Sequence, residues 1–342
     1  MAETQPYGLP DEALATYLEQ HLPGFRRPLS SHKFRGGQSN PTYLLNAESG
    51  RYVLRRKPPG TLLASAHAVD REFRVLQALH GGAVPVAKPL HLCLDDCVIG
   101  SMFYVMEFIE GRIFWDPSLP ECTPGQRGAL YDTVIRILAA IHSVPVEAAG
   151  LADYGKSGNY FARQIARWTE QYKASVTHDI QAMNALIEQL PGRCPADDGT
   201  VALVHGDFRI DNLMFEPEGT RVLAVVDWEL STLGHPLADL GYFCMALRLP
   251  RNPALPGLAG VDRAELGIPS ESTVLARYAE LTGRTIPDDW PFVVAFSFFR
   301  LAAIAQGVAK RAAQGNASSL QAEQAGRMVE MLADLGLREL QT

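Results

Sequence analysis

Two short segments constrain this chain more than anything else in it. Residues 205–212 read HGDFRIDN, and VVDWE follows at 225–229. Asp207, Asn212 and Asp227 place a carboxylate, an amide and a second carboxylate around a loop and an apolar strand, VLAVV. Asp207 suits a group that orients a hydroxyl and takes its proton. Asn212 and Asp227 offer hard oxygen ligands to Mg²⁺. The competing account is an Asp/Asn turn leading into a hairpin. An apolar strand that ends in Asp227 favours the chemical account.

The rest of the chain supplies a frame for that loop. TYLLNA and RYVLR read as strands joined by turns, and two more strands are expected at 89–98 and 101–109. Between them, 65–80 has helical periodicity, with Val69, Phe73, Leu76 and Leu79 on one face. Helices are also expected at 11–21, 124–143, 158–190, 236–248, 271–283, 290–313 and 317–337. This order predicts an α+β chain in two parts. Residues 1–110 would hold a small antiparallel sheet with one helix, and 111–342 a larger, mainly helical part.

The first part carries further candidates. Gly36, Gly37, Gln38, Ser39 and Asn40 lie in a turn that could aim backbone N–H groups at phosphates, although a Gly-Gly turn is more often a plain hairpin. In YVLRR, Arg55 shares a strand face with Val53, and Leu54 shares the other with Arg56. Arg55 is the candidate phosphate cation. Arg56 and Lys57 read as a solvated strand end, with Lys57 the alternative grip. Glu72 on the following helix could fix Arg55. Glu107, Phe108 and Ile109, at the end of an apolar strand, could offer backbone groups to an adenine edge.

Composition excludes some classes. The formal net charge of -7 argues against a nucleic-acid binder, which needs a basic face. The longest apolar run, WPFVVAFSFFRLAAIAQGVA from Trp290, has Arg300 at its centre, so a buried helix is expected rather than a membrane span. The first twenty residues lack the basic-then-apolar pattern of a signal peptide, and the five cysteines are odd in number, which points to reduced thiols and a cytoplasmic protein. Cys93 and Cys97 lack a second ligand pair for a metal.

With these residues in place, the chain resembles the protein-kinase-like fold in its aminoglycoside-phosphotransferase branch, over roughly residues 28 to 310. HGDFRIDNLMF resembles the branch's catalytic loop and VVDWE its metal-binding segment. Asp239 in GHPLADLGY matches an Asp that braces the catalytic loop. GGQSNPTYLL, YVLRRKPPG, DREFRVLQAL, FYVMEFIEGR and DWELSTLGHPLADLGY are similar to the kinase-like domains attached to certain acyl-CoA dehydrogenases. The resemblance implies a bilobal fold, ATP and Mg²⁺ as cofactors, and transfer of the γ-phosphoryl group to a hydroxyl, most closely on a hydroxyacyl-CoA. Other small alcohols, such as an aminoglycoside, homoserine, choline or a sugar, remain alternatives, as does a nucleotide-binding pseudokinase. Arg55 stands where protein kinases place Lys, Trp228 replaces the Phe of D-F-G, and Gly206 replaces the Arg of H-R-D. With little room for an activation loop, an enzyme active without phosphorylation is expected. Arg248, Arg251 and Arg263 cluster around the loop expected to roof the acceptor site; they suit an anion such as the phosphates of CoA, or are ordinary surface charge.

Overall fold

The computed structural model describes residues 8–34, 40–58, 68–252, 255–311 and 319–342; for 319–325 it describes the backbone only. The chain divides into two compact units. The first gathers the chain up to Ile113 with Glu147–Leu151 and Asn212–Ser231; the second holds Phe114–Val146, Ala152–Asp211 and Thr232–Thr342.

In the first unit, α1 (Asp11–His21) precedes an antiparallel five-stranded sheet. Its strands are β1 (Leu29–Lys33), β2 (Thr42–Ala47), β3 (Gly50–Arg56), β4 (Pro89–Cys93) and β5 (Phe103–Glu107), in the order β1-β2-β3-β5-β4. Strand β3 is therefore central. Its register sets Arg55 between Thr42 and Tyr104. Helix α2 (Val69–Leu79) buries Val69, Phe73, Leu76 and Leu79, and also Glu72. β4 is shorter than expected because Asp95 accepts a hydrogen bond from the Cys97 amide and turns the chain. A hairpin, β7 (Leu213–Phe215) and β8 (Val222–Val225), completes the unit. It is tied in by Val225 N–H to the Pro85 carbonyl and by reciprocal bonds between Arg112 and Phe215.

The second unit is mainly helical: α3 (Pro124–His142), α4 (Tyr160–Ser175), α5 (Gln181–Arg193), α6 (Leu237–Met245), α7 (Arg263–Leu266), α8 (Glu271–Thr282), α9 (Trp290–Arg311) and α10 (Ser319–Glu339). The single helix expected over 158–190 is two, because β-branched Val176 leaves α4 at φ -56, ψ 136 and Ile180 restarts the helix. The short α7, not anticipated, is capped by the Asp262 side chain on the Glu265 amide. A two-stranded ladder pairs β6 (Ala202–Val204) with β9 (Thr232–Gly234). Among the described residues α9 is the one helix long and apolar enough to cross a membrane, and 83% of its apolar window is buried within the protein. Phe296, Phe298 and Phe299 are fully buried along it.

A buried polar triad ties three of these helices together. His142 ends α3, and its Nε2 lies 3.3 Å from the Asp239 carboxylate of α6. Its Nδ1 lies 2.7 Å from the Tyr278 hydroxyl of α8. One assignment satisfies all three groups: Nε2–H donates to Asp239, and the Tyr278 hydroxyl donates to Nδ1. Burial holds His142 below its ordinary value and hence neutral. Burial alone would raise Asp239, but His142 and the loop amides hold it below the usual carboxylate range.

Both groups bind a proton less readily in the folded chain than in the unfolded one. The contribution of His142 is present above its ordinary value of 6.5 and is lost as pH falls below it, whereas that of Asp239 is lost only below its ordinary value of 3.8. The melting temperature should therefore drop on going from pH 7 to pH 5, and His142→Gln should flatten that drop while lowering stability at pH 7. An acid limb unchanged in His142→Gln would exclude this role. Phe298→Ala should remove about 3–5 kcal/mol, measured by urea unfolding, since the site is fully enclosed.

Candidate active site

The first unit builds a charged cluster around Arg55, which is 14% exposed. Its Nε lies 2.9 Å from Glu72 Oε2, and one terminal nitrogen lies 2.7 Å from Asp227 Oδ1 and 3.1 Å from Glu229 Oε2. Glu72 is held in turn by the Asn40 amide at 2.5 Å and the Tyr104 hydroxyl at 3.1 Å. Burial pushes the Glu72 carboxyl up to about 7 against the pull of Arg55, with Glu229 and Asp227 adding to the rise. Burial opposes the Arg55 charge, but Glu72, Tyr104, Asp227 and Glu229 raise its pKa well above the ordinary value. A guanidinium keeps its charge in such a site where an ammonium is more readily titrated.

Asn212 and Asp227 sit at the paired ends of the β7–β8 hairpin. The Val226 amide donates to the Asn212 carbonyl at 2.9 Å, which brings the residue beside Asp227 next to Asn212. Asp227 has left-handed backbone, φ 64, immediately after Val226. Trp228 locks the turn by donating from Nε1 to the Val225 carbonyl at 3.0 Å. The described residues hold no cluster of three or more His, Cys, Asp or Glu suited to a metal. An amide and a carboxylate, both oxygen donors, nevertheless fit Mg²⁺, which takes one or two carboxylates and completes its shell with waters and phosphates.

Other candidates of the first unit fall differently. Gly36, Gly37, Gln38 and Ser39 lie outside the described residues. The Glu107 amide is already bonded to the Lys88 carbonyl at 3.0 Å; Phe108 and Ile109 follow the end of β5. Arg56 is not solvated: it is 6% exposed and donates to the Ser101 hydroxyl at 2.9 Å, on the face it shares with fully buried Leu54.

The second unit builds the loop that carries Asp207. The Asp239 carboxylate accepts the backbone N–H groups of His205 at 2.6 Å and Gly206 at 2.9 Å. The Gly206 carbonyl accepts from Arg300, whose guanidinium lies 5.5 Å from the Trp168 ring centre and 5.3 Å from that of Tyr242. Both sides of this segment are thus clamped. Gly206 has φ +83, which a side chain would strain. The Asp207 amide donates to His205 Nδ1 at 3.2 Å, and Arg209 Nε lies 3.7 Å from the Asp207 carboxylate. Burial first, and then the Asp207 carboxylate, raise the Tyr242 phenol above its ordinary range, and the two side chains are hydrogen-bonded. An oriented carboxylate on a rigid loop can hold an alcohol and accept its proton.

Spacing did not identify His142, Tyr278, Tyr104 or Glu229. A central Arg in an apolar run was a signal that Arg300 needed a partner, but not which one. Two of the three arginines around the 248–263 loop are paired. Arg248 is held by Glu271 at 2.7 Å and by Glu339, and Arg251 pairs with Asp116 at 3.0 Å. Arg263 sits in the short α7. Their charge is already matched by carboxylates at the first two positions.

Comparison with known proteins places this geometry. The phosphotransferase enzyme family profile matches residues 31–281. A solved protein of Ralstonia eutropha, provisionally described as an aminoglycoside phosphotransferase, is 49% identical over 97% of this chain and 98% of its own, with a TM-score of 0.88. Spectinomycin phosphotransferase, solved with ADP and spectinomycin, is 15% identical over 99% of this chain and 100% of its own at a TM-score of 0.66, a likeness of fold. Among curated proteins, mouse acyl-CoA dehydrogenase family member 10 is 47% identical over 96% of this chain, and human family member 11 is 42% identical over 99%. The chain spans 31% and 44% of those two relatives, less than half of either. With its kinase-like α+β fold, a braced Asp207 loop and a match across most of its length, the chain belongs to the phosphotransferase enzyme family, as a small-molecule kinase.

Proposed function

We propose that this kinase uses ATP and Mg²⁺ to phosphorylate the hydroxyl of a hydroxyacyl-CoA. The observation that carries the acceptor class is a pocket in the second unit, beside the loop of Asp207. Arg209 and Asp211 of that loop line it, together with Tyr242, which is bonded to Asp207. Its other walls are mostly apolar, among them Met245, Leu247, Leu249 and Leu301, with Trp115 exposed at one edge. Such walls suit an aliphatic chain and offer little to a polycation, which needs carboxylates along its contacts. The names of the curated relatives, acyl-CoA dehydrogenases, support an acyl-CoA as the molecule that carries the chain.

In this reading Asp207 orients the acceptor hydroxyl and takes its proton. The acceptor oxygen bonds to the γ-phosphorus as the bond from that phosphorus to the β–γ bridging oxygen breaks, releasing ADP. Arg55, fixed by Glu72, carries positive charge for the phosphates. Asn212 and Asp227 would hold Mg²⁺, which supplies charge neutralisation between the phosphates when bound. Most of the rate enhancement then comes from positioning and charge, as is general for phosphoryl transfer.

A mass-spectrometric transfer assay tests the proposal. Purified chain with Mg-ATP is offered 3- and 4-hydroxyacyl-CoAs of several lengths beside kanamycin-type aminoglycosides, with Asp227→Ala as the blank. The expected result is phosphate on a hydroxyacyl-CoA, absent in the blank, with Leu247→Ala shifting the preferred chain length upward. Transfer to an aminoglycoside alone would overturn the acceptor. ATP binding without transfer to any acceptor would favour a pseudokinase.

A further inference from the structure

Trp115 differs from the other tryptophans of the chain. It is 71% exposed, whereas Trp168, Trp228 and Trp290 are 8% exposed or less. A side chain of this size is on average well buried. The exposure is not that of a loose segment. Phe114 before it is buried. The Asp116 carboxylate after it accepts the Ser118 amide at 2.8 Å and pairs with Arg251 at 3.0 Å. The Tyr131 hydroxyl of α3 donates to the Pro117 carbonyl at 2.7 Å. The chain is pinned on both sides of the indole, which is thereby held in solvent.

Its surroundings say what the indole can cover. Trp115 lines the pocket beside the Asp207 loop, and Leu249, Leu255 and Pro256 line the same pocket. That apolar wall is fixed from within: the Leu258 amide donates to the Ala246 carbonyl at 3.0 Å, and the Ala259 amide to the Leu249 carbonyl at 2.9 Å. The Arg251–Asp116 pair then joins this loop to the segment of Trp115. A partly exposed ion pair adds little stability, but here it ties the wall to the indole. Because Arg251 is matched by Asp116, the pair offers no spare cation to the phosphates of a nucleotide. The indole and its aliphatic neighbours offer contact to methylene groups instead. Arg209 and Asp211 of the Asp207 loop line the same pocket, so one elongated molecule can reach from that loop to the indole.

We propose that Trp115 is a specificity-determining residue for the acceptor. Its indole covers the distal methylenes of an acyl chain whose hydroxyl lies at the Asp207 loop, and so selects longer chains over short ones. The inference rests on the acyl acceptor argued above, but it concerns binding and is read without phosphoryl transfer.

Because Trp115 is the one exposed tryptophan of four, quenching of tryptophan emission by acrylamide reports on it directly. The full chain is titrated with decanoyl-CoA, which lacks the hydroxyl and cannot be phosphorylated on its chain, beside butanoyl-CoA and free coenzyme A. Saturable protection by decanoyl-CoA, and none by the other two, is expected. In isothermal titration, Trp115→Ala should weaken decanoyl-CoA by about tenfold, the scale of one side chain's apolar contact. Trp115→Phe should weaken it less, and neither variant should change the affinity for butanoyl-CoA. The side chain is exposed, so both variants are expected to fold, and circular dichroism checks that. Equal protection by free coenzyme A would put the nucleotide on the indole and overturn the proposal. So would an absence of protection by decanoyl-CoA, even if a hydroxyacyl-CoA is phosphorylated. Protection by decanoyl-CoA without transfer to any hydroxyacyl-CoA would support the role of Trp115 and overturn the transfer reading instead.

Discussion

One buried carboxylate fixes the loop on which the proposed chemistry of this protein depends. Asp239 is 1% exposed and accepts two successive amides of the loop, with His142 as its third partner. A buried carboxylate is costly unless nearly every lone pair is satisfied, and here the donors are backbone groups and an imidazole already oriented by Tyr278. The loop amides are thereby held from below. The buried guanidinium of Arg300 holds the Gly206 carbonyl from α9. Asp207 follows directly on the clamped residue, so its position is set by helices α3, α6, α8 and α9 rather than by the loop itself. Rigid support of this kind is what lets a carboxylate act on a hydroxyl without reorganising.

The first unit solves a different electrostatic problem. Arg55 stands among Glu72, Asp227 and Glu229, three carboxylates for one cation. That surplus of negative charge is what a dication and a cation together can serve when polyphosphate is present. The Asn40 amide and Tyr104 hydroxyl on Glu72 keep the buried partner of Arg55 from turning away. Arg in place of Lys follows from the same setting, since its charge survives burial among groups that could exchange protons.

Much of this was legible in the sequence because it depends on short separations. Asp207, Asn212 and Asp227 stand out through spacing and through the apolar strand before Asp227. The order of strand and helix places Glu72 after Arg55, and packing makes them a pair. What spacing could not show are partners brought together across the chain: His142 with Asp239, 97 residues apart, and Arg300 with Gly206, 94 apart. Strand alternation did contain the burial of Arg56, since it shares a face with Leu54, but a charged pair at a strand end reads as solvated until Ser101 is seen beside it. The partners of Arg248 and Arg251 were hidden for a related reason. Sequence shows the cations of a loop, not the carboxylates of α8, α10 and the 116 region that neutralise them.

The account rests most directly on Asp207 acting in transfer and not in nucleotide binding. The decisive measurement is made on Asp207→Asn, with ATP affinity by titration and phosphoryl transfer by rapid quench on the same protein. The account predicts affinity within a few-fold of the parent and a transfer rate lower by at least about a hundredfold, the scale of a lost general base. Transfer at the parent rate, or affinity lost in step with the rate, would contradict it.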